Sequence, residues 1–266
     1  MYDFSPEGRL LRVNTWKDTV EACKGRAPPP SEKYDKVPLP DDFIPYKKHP
    51  YKRVIIVQKD CIDVAQEYAL KGNKVMLHNM ADWGKAGGLV EGGVATQEEE
   101  CFRRSDYHLH LKQSFYPLNE YDYIVSRDVY YFKSSDALKF APLTEPFTVD
   151  MIASPAIAGP RVNSDRSEMT DPDEVTIMRN KIRQLIWAAA TNGNDVLVLS
   201  AWGCGAFDCP PKHIARLFRE VINETRGAVP LIVFAIFPAH PSVKGTDRDS
   251  FRVFHDTFYH PIESDY

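Results

Sequence analysis

The chain has 266 residues, 43% of them hydrophobic and 26% charged, with a formal net charge of −4. That length and mixture can bury a full apolar core and fit an ordinary globular domain, not a disordered or membrane-spanning chain. The slightly acidic balance offers no overall polycationic surface to hold nucleic acid by neutralising phosphates, a local basic patch staying open, so a polyanionic ligand has to be captured locally.

The segment Met1 to Gly8 lacks the basic-then-apolar order of a signal peptide, and no run approaches the roughly 18 apolar residues of a membrane helix. An intracellular protein is expected, in the cytoplasm or the nucleus, with no membrane partner. Five cysteines (Cys23, Cys61, Cys101, Cys204 and Cys209) are an odd number scattered along the chain, which favours free thiols.

Leu10 to Cys23 is read as a helix packed on the main domain. Residues 28 to 50 are proline-rich and read as an extended strap without regular elements. The division expected is therefore an N-terminal extension and strap over 1–50, packed on a main domain over 51–266. From Tyr51 onward, strand and helix signals alternate: a β-branched run at Val54 to Val57, a helix near Asp63 to Lys71, and an apolar run at Val75 to Leu77. A helix is expected from about Gln97 to Gln113, with strands at Asp128 to Phe132 and Phe147 to Ala153. Asp171-Pro172-Asp173-Glu174 supplies a cap, a proline and early acids for a helix that Asn192-Gly193-Asn194 stops. A strand at Val196 to Leu199, a helix at Pro211 to Glu224, a strand at Leu231 to Phe237 and a helix at Ser250 to Tyr259 complete the series. Such alternation argues for a three-layer α/β/α domain.

Two loops stand out. The first runs from Asn79, through Asp82, Gly87, Gly88, Gly92, Gly93 and Val94, into Thr96-Gln97-Glu98-Glu99-Glu100. Glycines let backbone approach a ligand closely, and amides opening a helix hold an anion, so this loop is a ligand cradle beside candidate acids. Thr96 to Glu99 also fits a capping box, but a cap alone has no use for the preceding glycines. Glu100 reads as a solvated helix residue. The second loop, Gly203, Cys204, Gly205, Ala206 and Phe207, is a small-residue turn after a strand that exposes amides to an anion. Phe237, at the end of the last strand, is a candidate ligand contact through its aromatic face, set against the plain reading of such residues as core. Cys204, Cys209 and His213 lack an evident fourth ligand for zinc, so no metal is assigned, and no cofactor. His108 and His110 alternate on their predicted helix and cannot share a face.

Gly87-Gly88-Leu89, seven further residues and Gln97-Glu98-Glu99 resemble the signature of poly(ADP-ribose) glycohydrolases, with Leu89 where the third glycine stands. Arg103-Arg104-Ser105 after the acids, and Ala201-Trp202-Gly203-Cys204-Gly205 in the second loop, are similar to the microbial branch of that family. The resemblance implies a macrodomain-like fold with a mixed sheet and an N-terminal extension, acting on poly(ADP-ribose) to release ADP-ribose. It implies Glu99 as general acid and then base, Glu98 as the anchor of ribose hydroxyls, Gln97 as their positioner and Asn79 as a ribose contact. Gly203 to Ala206 would wrap the diphosphate and Phe207 would pack on the ribose. The family usually has Asn or a small polar residue where Asp82 stands. Two other readings stay open: hydrolysis of mono-ADP-ribose linkages on protein or nucleic acid, and a non-catalytic ADP-ribose reader. The partners expected are ADP-ribose and its polymer, and the protein a monomer.

Overall fold

The computed structural model describes residues 3–46, 53–225, 227–238 and 248–259. The seven strands are β1 (Glu32–Tyr34), β2 (Arg53–Val57), β3 (Val75–Met80), β4 (Tyr123–Lys133), β5 (Pro142–Ser154), β6 (Val196–Leu199) and β7 (Leu231–Ala235). The helices are α1 (Pro6–Ala22), α2 (Cys61–Ala69), α3 (Gln97–Arg104), α4 (Tyr107–His110), α5 (Pro172–Thr191), α6 (Pro211–Thr225) and α7 (Ser250–Tyr259).

The strands form one mixed sheet in the order β1-β4-β5-β3-β6-β7-β2. The five strands from β5 to β2 run parallel, while β4 is antiparallel to β5 and β1 antiparallel to β4. Successive side chains of a strand point to opposite faces. Leu197 and Leu199 accordingly join a core with Ile182, Leu185, Phe218, Phe234 and Phe254, under α5, α6 and α7. Val196 and Val198 join the other core with Ile62, Val64, Phe102 and Tyr107, under α2, α3 and α4. Two cores on two faces make the α/β/α sandwich that the alternation of elements predicts. The five cysteines are free.

Helix α5 begins where its signals place it, with the Asp171 side chain accepting the Asp173 amide and Pro172 in the first turn. Two expectations need correction. The proline-rich strap is not devoid of regular structure: Glu32–Tyr34 pairs with β4 and Pro40–Tyr46 forms 3₁₀ turns. The helix expected over 97–113 ends at Arg104, because Ser105 is extended and bridges Tyr131 of β4. Its hydroxyl, bonded to the Cys101 carbonyl and the Tyr107 amide, turns the chain into the short α4. The division placed between residues 50 and 51 lies outside the described residues.

Candidate active site

In open α/β sheets, ligands bind beyond the carboxyl ends of the strands. Here the parallel neighbours β3 and β6 end side by side, and the loops that follow them carry the two glycine-rich stretches. Between these loops lies a cavity of about 540 Å³.

Gln97 fastens the start of α3 to the end of β3. Its side-chain carbonyl accepts the Met80 amide at 2.9 Å and its amide group donates to the His78 carbonyl at 2.8 Å. Glu98 then projects under the first loop, where its carboxylate accepts the Asp82 amide at 2.7 Å, the Gly87 amide at 3.2 Å and the Asn79 Nδ2 at 3.2 Å. Glu99 accepts the Leu89 amide at 3.0 Å on one oxygen and the Thr96 hydroxyl on the other. The capping box is therefore not formed: Thr96 bonds the Glu99 carboxylate, and its side chain caps no amide.

Both carboxylates converge on Gly88. A Cβ there would stand 2.6 Å from Glu99 Oε1 and 3.4 Å from Glu98 Oε2, and φ is +54°. A side chain at 88 would collide with the acids, so the loop crosses them only as glycine. Each acid is 4% exposed and forms part of the cavity wall. Burial pushes the Glu98 carboxyl up to about 8, against the N–H donors of Asp82, Asn79 and Gly87.

Asp82 lines the cavity, but one of its oxygens accepts the amides of Gly84 at 2.7 Å and Lys85 at 2.9 Å. This turn partly offsets its negative charge. Leu89 has φ −108°, a conformation open to any residue, and its side chain is 62% exposed at the rim. That explains how a leucine occupies the third position of the glycine triplet.

The second loop contributes Ser200 through Phe207 to the cavity, so Gly203, Cys204, Gly205, Ala206 and Phe207 all line it. Bonds from Cys204 N to Ala201 O, 3.1 Å, and from Cys209 N to Gly203 O, 3.0 Å, fold the turn. The amides of Gly205, Ala206 and Phe207 donate to no group among the described residues. Such a row of amides suits an anion. Phe237 lines the cavity and is 37% exposed.

Of the other residues singled out in the sequence, Gly88, Val94 and Gln97 line the cavity, while Asn79, Gly87, Gly92 and Gly93 do not. Asn79 is fully buried behind Glu98, and Gly92 and Gly93 face α1 through Arg9 and Arg12. Glu100 is not solvated but buried: it pairs with Arg103 at 2.9 Å, and burial pushes its carboxyl up to about 7. His213 lies with Glu168 at 2.6 Å, His110 is buried beside Asp106, and His108 packs its ring edge-on to Trp16. Sequence reasoning missed Met80, Ala156, Ile236, Arg248 and Ser250 as lining residues. The first three end or follow strands, a signal that was present; Arg248 and Ser250 belong to no motif.

Fold and site together define an α/β/α, macrodomain-like domain with a paired-glutamate glycine loop. Residues 31–142 match the family model described as microbial-type PARG, catalytic domain, and this stretch holds the whole glycine loop with both glutamates. The structure is similar to that of poly(ADP-ribose) glycohydrolase from Thermomonospora curvata, with a TM-score of 0.73 and 22% identity over 91% of this chain and 97% of that one. It is also similar to the Deinococcus radiodurans enzyme in complex with ADP-ribose, with a TM-score of 0.69 and 24% identity over 89% of this chain and 95% of that one. A Thermomonospora curvata structure bound to the inhibitor ADP-HPD has a TM-score of 0.72 at 22% identity, over 93% and 99% of the two chains. No curated protein matches the chain.

Proposed function

We propose that the chain hydrolyses the ribose–ribose O-glycosidic bonds of poly(ADP-ribose) and releases ADP-ribose. The observation that carries this reading is the convergence of Glu98 and Glu99 on Gly88, in the wall of a cavity that also displays the amides of Gly205, Ala206 and Phe207. The family match over residues 31–142 and the ADP-ribose bound in the similar Deinococcus radiodurans structure support it. The cavity has the size usual for a nucleotide-sized ligand.

In this reading the second loop holds the diphosphate, Phe237 meets the adenine, and the distal ribose reaches the acids. Glu99 gives a proton to the leaving ribose oxygen as the C1″–O bond breaks and positive charge develops at C1″. It then takes a proton from the water that attacks C1″, returning to its starting state. Glu98, kept largely protonated at neutral pH by its burial, hydrogen-bonds the ribose hydroxyls. Gln97 and Asn79 act behind the pair, the first by fixing the start of α3 and the second by holding Glu98. Residues 1–50 form an extension to the catalytic domain at 51–266, and the protein works as a monomer on polymer chains inside the cell.

The exposed Leu89 at the rim bears on a second reading, in which a mono-ADP-ribosyl linkage fits better than the polymer. Product release from poly(ADP-ribose) and from mono-ADP-ribosylated protein, measured side by side, decides between them. Glu99→Gln is expected to lower turnover by about 10²–10⁴-fold while keeping ADP-ribose affinity, since the amide retains hydrogen bonds but cannot cycle a proton. Near-normal turnover in the folded variant removes the assignment, and a wild type that binds ADP-ribose yet cleaves neither substrate is a reader.

A further inference from the structure

Three consecutive carbonyls of the first loop are each held by an arginine. Arg9 Nε donates to the Gly92 carbonyl at 2.8 Å, Arg12 Nε donates to the Gly93 carbonyl at 2.8 Å, and the Arg103 guanidinium donates to the Val94 carbonyl. The first two arginines come from α1 and the third from α3. Arg12 is 2% exposed, and its Nη1 is fixed in turn by the Asp3 carbonyl at 2.7 Å and the Asp136 carboxylate at 3.2 Å. Gly93 is what lets α1 come this close: a Cβ there would lie 2.7 Å from the Arg9 carbonyl oxygen.

In a trans peptide the carbonyl and the following N–H point in opposite directions. Drawing the carbonyls of Gly93 and Val94 towards arginines therefore turns the amides of Val94 and Ala95 the other way. Neither amide donates to any group among the described residues, and Val94 lines the cavity. A positive charge on the carbonyl side also polarises the peptide, making its N–H a stronger donor. The Asp136 carboxylate already ties Arg12, and with it α1, to the body of the domain, while the Nε of the same side chain is committed to the loop.

We propose that Arg12 is a positioning residue that works from outside the cavity, fixing the 93–94 peptide so that the Val94 amide is presented to the anionic ligand, with Arg9 and Arg103 setting the peptides on either side. The inference rests on the reading that an ADP-ribose unit occupies the cavity. It makes the N-terminal helix a working part of the binding site.

The test is titration calorimetry of Arg12→Ala with ADP-ribose, with turnover of poly(ADP-ribose) measured alongside. The expected result is a Kd and a KM raised about tenfold, the worth of one charge-assisted hydrogen bond, with a binding stoichiometry near one and kcat changed much less. Millimolar guanidinium should restore part of the affinity by occupying the vacated site. A purely structural role would instead lower the stoichiometry and leave Kd unchanged, and that result overturns the proposal, as does an unchanged Kd at full stoichiometry. Should Arg12→Ala fail to fold, Arg9→Ala, which removes one loop bond from an exposed side chain, decides: a Kd raised two- to threefold supports the proposal and an unchanged Kd overturns it. A wild-type protein that binds no ADP-ribose overturns both the proposal and the functional reading, whereas normal wild-type binding with an indifferent Arg12 overturns the proposal alone.

Discussion

A carboxyl group that accepts three N–H donors yet lies in an apolar wall is pulled in two directions. In Glu98 burial wins and lifts the carboxyl from its ordinary 4.5 to about 8. Between those values the unfolded chain has released the proton while the folded chain keeps it. The contribution of Glu98 to stability is therefore fully present below about 4.5 and is lost as the pH rises through about 8. Glu98→Gln cannot titrate, so the denaturation midpoint of the wild type should fall more steeply than that of the variant across this window. The buried Glu100 acts in the same window in both proteins and cancels from the comparison. Parallel slopes would show that the donors keep Glu98 ionised. The identities of Glu98 and Glu99 were legible in the sequence because glycines precede them and the family signature contains them. The burial of Glu100 was not, since it depends on Arg103 turning back along the helix, which no local pattern announces.

At the scale of the element, the two loops differ in what their glycines do. Around the second loop, Gly203 is the crowded position: φ is +76°, and a Cβ would lie 2.7 Å from Cys209 Sγ and 2.9 Å from the Ala156 Cβ. Gly205 has open space, with nothing within 4 Å of an added Cβ. Gly205→Val is thus expected to fold normally and to weaken ADP-ribose binding by filling the space before the free amides, whereas Gly203→Ala should destabilise the fold by about 1–3 kcal/mol. Calorimetry and denaturation of both variants check this; unchanged affinity in folded Gly205→Val places the phosphates elsewhere. Most elements were readable where local chemistry marks both ends, as Asp171-Pro172 and Asn192-Gly193 do for α5. Helix α3 was overextended because what stops it is the pairing of Ser105 with β4, a contact between residues far apart in the chain. The strand at Glu32–Tyr34 escaped notice for a related reason: its partner, not its composition, makes it a strand.

For the whole molecule, the cavity is assembled by segments distant in sequence, from Met80 on β3 to Ser250 on α7. A ligand that bridges them binds only the folded state, so ADP-ribose at a hundred times its dissociation constant should add about 2.7 kcal/mol of stability. For a chain of this length that corresponds to a rise of roughly 5–10 °C in the thermal midpoint. A midpoint that stays fixed at saturating ADP-ribose would mean that the ligand does not bridge these parts.

The pairing of β1 with β4 has a consequence of a different kind. An unpaired strand edge is a template for self-association. Glu32, Lys33 and Tyr34 cover the Tyr123 to Val125 end of β4, and the Thr19 hydroxyl meets the Arg103 carbonyl at 2.6 Å. A fragment begun at residue 51 would expose that edge and leave the carbonyl without this donor. Residues 32–34 thus cover an edge that would otherwise stand open, and a fragment that lacks them is expected to self-associate more readily than the full chain, which light scattering of the two side by side checks.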